Sequence, residues 1–253
     1  MIFDLITGTG DTTGGIGSWT PAELFLGGDI GFWLDGSDYT TMSQSRTAQV
    51  NVTASGQPVG QWRNKIAGQS LFNFVAISDT AIPSTKTTSG KFAVSYDGVA
   101  DQLANSPLGN QIPGTGFSLF MGIKTAEIPT TGNTNPCYLV VTYSTLEIAL
   151  TEFTTVKTQA YGLTLNSSAQ YSTSVANIFG IFSEKAITPI TVRVNGAATV
   201  GAVPSAGATS FGDQHRVTAD ISLTADVSQV VFVNRVLTPS EISNLEAYIG
   251  SKQ

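Results

Sequence analysis

His215 is the only histidine in the chain. A Ser–His–Asp relay would rest on it alone, and the Gly-x-Ser-x-Gly turn that presents a nucleophile is absent. It follows Asp213 and Gln214 in what reads as a polar turn before a strand, where a histidine is a solvated residue rather than a base. Cys137 is the only cysteine, so a hydrolytic zinc site lacks donors. Cleavage of a glycoside with retention needs two carboxyl groups about 5 Å apart. The best pair, Glu147 and Glu152, is five residues apart and points to opposite faces of a regular strand. Gly8-Thr9-Gly10 lacks a third glycine, and Ser89-Gly90-Lys91-Phe92 lacks a hydroxyl residue after the lysine, so neither is a phosphate loop. No catalytic site is expected.

Binding chemistry has more material. Asp35, Asp38, Asp97 and Asp101 offer hard oxygens of the kind calcium takes. Their spacing is not that of a calcium loop, and they read as turn formers. No metal site and no cofactor are expected, structural calcium being the one ion the set admits. Sugar binding uses an exposed ring with amide or carboxylate groups at its edge. Trp33 and Trp62 lie in strand-like runs and are expected in the core. Tyr39, Tyr161 and Tyr171 are the ligand-binding candidates. Trp19 precedes Thr20-Pro21-Ala22-Glu23, which has capping-box spacing, so it suits a hydrophobic staple or a partner contact.

The elements that carry these residues are short and β-like. The chain has 253 residues, 41% of them hydrophobic and only 12% charged, about half the usual share of roughly 25%. Thr suits pleated surfaces, and 26 glycines supply tight turns. Strands are expected near 30–35, 47–53, 71–77, 91–96, 117–124, 137–143, 146–152, 159–165, 175–183, 189–194, 216–223 and 227–235. Ile190 to Val194 alternates with period two and ends in the turn pair Asn195-Gly196. Val227 to Val233 is more continuously apolar, as expected for a strand covered on both faces. The one convincing helix is last. Thr238 caps it, Pro239 is its first residue, Glu241 closes a capping box, and Ile242, Leu245 and Ile249 form one stripe before Gly250 ends it.

Residues 1–19 read as a Gly/Thr-rich arm and residues 20–253 as a single domain. Phe3, Leu5 and Ile6 give the arm apolar groups that need something to pack on. Net charge is −6, and the 12 cations are spread thinly along the chain. Nucleic-acid binding, which needs clustered cations to displace phosphate counterions, is not expected. The N-terminus lacks the basic and apolar regions of a signal peptide, and no run approaches the roughly 18 apolar residues of a membrane span. No membrane partner is expected.

Four stretches resemble the concanavalin A-like (laminin-G-like) superfamily in the form found in bacterial and phage proteins. They are Phe32 to Asp38, Val59 to Lys65 with its Trp62-Arg63-Asn64-Lys65, Val94 to Asp101, and Phe232 to Glu241. The resemblance covers about residue 20 to the C-terminus. It implies an all-β, two-sheet antiparallel jelly-roll sandwich with a short C-terminal helix and with first and last strands side by side. Arg235 is expected to pair with Asp38 or Asp101 near the strand ends.

The resemblance does not fix the activity, since fold and function separate. Together with the low charge and the apolar arm it makes a non-enzymatic virion structural protein the leading expectation: a capsid decoration, head fibre or tail component made in the host cytoplasm. Phe3, Leu5, Ile6 and Trp19 would dock on other virion proteins or on a second copy of the chain. The alternative is a carbohydrate-binding module for a host-surface glycan or a polysaccharide. A glycan-cleaving enzyme is the third class.

Overall fold

The computed structural model describes residues 19–105, 116–125, 137–142, 146–150, 155–160, 163–172, 175–184, 187–203, 215–218 and 224–253. These residues form two antiparallel sheets and one C-terminal α-helix, the architecture expected from the sequence. The strands are β1 (Gly31–Asp35), β2 (Met42–Ser43), β3 (Gln61–Trp62), β4 (Phe74–Ala76), β5 (Ser84–Thr88), β6 (Lys91–Tyr96), β7 (Gln102–Asn105) and β8 (Gly116–Thr125). After them come β9 (Cys137–Thr142), β10 (Leu146–Leu150), β11 (Thr155–Ala160), β12 (Leu163–Gln170), β13 (Ala176–Glu184), β14 (Thr191–Val194), β15 (Ala197–Val200), β16 (His215–Thr218) and β17 (Ala225–Val233). The helix, α1, is Pro239–Lys252.

The first sheet runs β15-β14-β13-β8-β17-β6-β5. Strand β17 serves two neighbours on one edge: Ala225 to Val227 pair with β6, and Gln229 to Val233 pair with β1. An irregularity at Ser228 separates the two halves. The first and last strands therefore lie side by side, as the resemblance implied. The second sheet runs β12-β11-β10-β9-β16-β7-β4-β3-β2.

Side-chain alternation fills the space between the sheets. Phe32 and Leu34 of β1, Phe117, Leu119, Met121 and Ile123 of β8, and Phe179 and Ile181 of β13 point inward to meet Trp62, Phe74 and Leu103. The opposite face of the first sheet is covered in its middle by α1. Ile242, Leu245 and Ile249 pack there on Phe120, Val231, Val233 and Trp33. That second layer explains why β8 and β17 are apolar on both faces. Gly122 permits the close approach, because a Cβ there would stand 2.6 Å from Ile249 Cγ2. The turn at Asn195-Gly196 forms as its residue types require, both with positive φ.

Both capping boxes are present. Thr20 opens a short 3₁₀ turn over Pro21–Phe25, and Thr238 opens α1, accepting from the Glu241 backbone N–H. Several expectations need correction. Residues 47–53 form turns and one isolated bridge at Asn51 instead of a strand, because Ser43 and Ser45 hydroxyls take up their backbone groups. The helix does not stop at Gly250 but runs to Lys252, with nothing but solvent-exposed surface at the glycine to break it. His215 opens β16 instead of sitting in a turn. Arg235 pairs with neither Asp38 nor Asp101. Its guanidinium grips Glu241 (2.7 and 2.9 Å) and Asp29 (2.6 Å), which tie the helix start to the loop before β1.

Candidate functional site

The register of the first sheet assembles a hollow that no local stretch of sequence displays. On the face away from the inter-sheet core, β13, β8, β17, β6 and β5 set Ala176, Lys124, Asp226, Ser95 and Ser84 in one cross-strand row. Lys86 pairs with Ala93 and Thr88 with Lys91 in the hairpin of β5 and β6. The C-terminal end of α1 closes one side with Lys252 and Gln253. Together these groups, with Ser89 and Ser228, line a hollow of about 300 Å³. Alternation decides who faces it. Lys86, Lys91 and Lys124 sit at outward positions, whereas their neighbours Thr85, Val94 and Ile123 are buried. Ala93 and Ala176 keep the floor open because their side chains are small.

Four of the chain's seven lysines line this hollow, against one carboxylate. Asp226 is engaged by Lys86 at 2.8 Å and by the Ser95 hydroxyl at 2.8 Å. Lys91 Nζ donates to the Ser251 carbonyl at 2.7 Å, satisfying one of the open acceptors at the helix end. Lys252 lies 5.2 Å from the Tyr248 ring centroid. Among the described residues neither Lys124 nor Lys252 has a carboxylate in ion-pair contact. Gln253 Nε2 donates to the Asn177 carbonyl at 2.9 Å and anchors this wall. The expectation of thinly spread cations holds along the chain and fails in space, since β5, β6, β8 and α1 each contribute one lysine.

A second hollow, wider and more open at about 440 Å³, is lined by Asp38, Thr40, Arg63, Asn64, Lys65 and Asn73 among others. Its cations are already committed. Arg63 donates to the Thr40 and Thr41 carbonyls. Lys65 binds Asp35 at 2.8 Å and Asp38 at 3.0 Å. Asp35 is buried. Burial alone would raise its carboxyl, but hydrogen bonds from Lys65, Ser37 and Gln229 outweigh that and hold it below the ordinary value. Gln229 in turn accepts from Trp33 Nε1 at 2.8 Å, and Lys65 stands 4.4 Å from the Trp33 ring centroid. This network fastens β1 to β17 and to the segment after β3. Its charges are balanced internally, so the hollow beside it offers no free cation of its own.

The aromatic candidates go elsewhere. Tyr171 is 2% exposed and packs edge-on to Phe179 at 6.0 Å, so its ring belongs to the core. Tyr39 is half-buried, lies edge-on to Phe92 at 5.3 Å and shares a hydrogen bond with Thr87 at 3.0 Å. Trp19 packs on the chain's own helix, 6.3 Å from Tyr248, within the cluster that also holds Leu24. Trp33 and Trp62 are buried as expected. Phe3, Leu5, Ile6 and Tyr161 lie outside the described residues, as does Glu152. Asp97 and Asp101 form a turn, with the Asp97 carboxylate accepting from Val99 N and Asp101 accepting from Asp97 N. No group of three or more His, Cys, Asp or Glu suited to a metal occurs among the described residues.

No protein-family model and no curated protein sequence matches the chain. Solved structures do. A Trypanosoma rangeli sialidase in complex with 2,3-difluorosialic acid aligns with TM-score 0.58 at 14% identity, covering 87% of this chain and 33% of that one. A botulinum neurotoxin type C structure, described as dependent for cell entry on two ganglioside molecules, aligns with TM-score 0.54 at 10% identity, over 86% and 52%. The binding domain of botulinum neurotoxin DC in complex with rat synaptotagmin II gives 0.55 at 10% identity, over 86% and 52%. The chain thus spans about half the length of the neurotoxin chains and about a third of the sialidase. At such identities the likeness is one of fold: a β-sandwich with two antiparallel sheets.

Proposed function

We propose that this chain is a carbohydrate-binding module that holds a saccharide in the lysine-lined hollow and does not cleave it. The observation that carries the reading is the hollow itself. Its volume, about 300 Å³, lies at the lower end of ligand pockets, the size of a one- or two-ring ligand. Its lining sets donors from Thr88, Ser89, Gln253 and the lysines around an apolar floor of Phe92, Ala93 and Ala176. Hydroxyl-rich ligands are recognised by such converging polar groups. The rigid sheet beneath fixes their spacing, and a site on strands is held more firmly than one on loops.

The comparisons support the same class. The neurotoxin is described with gangliosides and the sialidase with a sialic acid derivative, and part of each chain aligns with this sandwich. Docking in a virion through Phe3, Leu5 and Ile6 rests on residues outside those described, so no observation here favours it over glycan capture.

The test is a glycan array probed with the full chain, with and without calcium, followed by calorimetric titration of the hits and an assay for released reducing ends. A defined set of bound glycans with no turnover is expected. An array without a single hit in either condition overturns the reading, and so does steady release of product.

A further inference from the structure

We propose that the ligand is an anionic saccharide whose acid group, a carboxylate or a sulfate ester, is seated among Lys124, Lys252, Lys86 and Lys91. This deepens the carbohydrate-binding reading and rests on it. The chain is acidic overall, with net charge −6 and only 12 cations in 253 residues. A third of those cations converge on one small concavity, where mutual repulsion disfavours them unless an anion is present. The one internal carboxylate, Asp226, is taken by Lys86 and Ser95. Lys91 is held by a neutral carbonyl, and Lys124 and Lys252 have no carboxylate in ion-pair contact among the described residues.

Two features narrow the class. The hollow has room for a ring or two, and the excess of acidic residues lies elsewhere in the sequence. A long polyanion such as nucleic acid gains affinity by displacing counterions along many contacts, and the chain's net charge of −6 opposes that. A short ligand with one acid group next to several hydroxyls meets both the lysines and the Thr88, Ser89 and Gln253 groups.

The contrast with the other hollow supports the assignment. There, the two carboxylates of Asp35 and Asp38 offset the two cations, Lys65 through direct ion pairs and Arg63 as a charge held on the Thr40 and Thr41 carbonyls. Of the two hollows, the one under the helix end is therefore the one with cations in excess.

The experiment titrates the full chain calorimetrically with sialyllactose, lactose, a sulfated and an unsulfated chondroitin disaccharide, sodium sulfate and a 20-nucleotide single-stranded DNA. Lys124→Gln is compared with Lys157→Gln, which removes the same charge from β11 of the second sheet, and thermal melting checks that both variants fold. The expected result is binding of at least one acidic saccharide ten or more times tighter than its neutral counterpart. That affinity should fall at least tenfold in Lys124→Gln, stay unchanged in Lys157→Gln and weaken on raising the salt. The sialyl and sulfated arms distinguish a carboxylate from a sulfate ligand. Lactose binding as tightly as sialyllactose, with Lys124→Gln silent, overturns the charge assignment and leaves saccharide binding standing. Sulfate alone, or the oligonucleotide, matching the best saccharide overturns it as well. Silence across the whole panel removes the carbohydrate-binding reading itself.

Discussion

Lys124 and Asp226 face each other as a register pair on β8 and β17, yet the Asp226 carboxylate makes its ion pair with Lys86 across the sheet. The acid therefore quiets one lysine of the hollow and leaves its nearest strand neighbour unpaired. Asp226→Asn keeps the shape and the Ser95 contact while removing the only carboxylate in the lining. Lys86 is about half exposed, so the lost ion pair costs under about 1 kcal/mol of stability. Affinity for an acidic saccharide should rise about threefold to tenfold. Paired calorimetric titrations and urea melts of the variant and the parent check both numbers.

Arg235 and Glu241 make acid the condition in which the helix start loosens. The Arg235 fork holds the Glu241 carboxyl down to about 2, from an ordinary value of 4.5. A carboxyl lowered by folding contributes stability that is complete above 4.5 and fades as pH falls towards 2. Asp35 and Asp38 are lowered as well and act in the same direction, while Asp101, raised by burial, opposes them. The melting temperature should decline steadily from pH 4.5 to 2. Glu241→Gln, which keeps a capping-box side chain, should lower stability by about 1 kcal/mol at pH 7 and flatten that decline. A melting series across pH, on both proteins, measures it.

Gly122 should tolerate no side chain. A Cβ there meets Ile249 Cγ2 at 2.6 Å and Gln253 Nε2 at 2.8 Å. Gly122→Val forces the end of α1 off the sheet, at about 1–3 kcal/mol, and carries Lys252 and Gln253 away from the hollow. Denaturant unfolding should report the loss. Amide hydrogen exchange should be faster at residues 245–253 than at 239–244.

Thr125 makes the opposite prediction. Its hydroxyl is fully buried and has no hydrogen-bond partner among the described residues. An unsatisfied buried hydroxyl is a net cost, and an isosteric methyl removes it. Thr125→Val should leave stability unchanged or raise it by up to about 1 kcal/mol, read as the shift in urea midpoint at constant slope. A loss above that size would mean the hydroxyl has a partner.

Much of the frame is legible in the chain. Thr238-Pro239-x-Glu241 marks the helix start, Asn195-Gly196 marks a hairpin, and the apolar run Val230 to Val233 of β17 marks a strand covered twice. Each is a local rule in which residue type fixes backbone geometry. The lysine hollow obeys no local rule. Lys86, Lys91, Lys124 and Lys252 are strangers in sequence, joined by strand order and by a helix that folds back over the sheet. Outward alternation around Lys86, Lys91 and Lys124 was the available signal, and without the strand order it names a face but no neighbours. One aromatic candidate, Tyr171, lies in the core for a related reason. A tyrosine carries enough apolar ring to be drawn inward, and Tyr171 was.

The hook from Gln253 to the Asn177 carbonyl has a practical corollary. Whatever is fused behind residue 253, an affinity handle or a fluorescent reporter, leaves the protein at the mouth of the lysine cavity. A histidine tail there would crowd the cavity, and an acidic one would fill it.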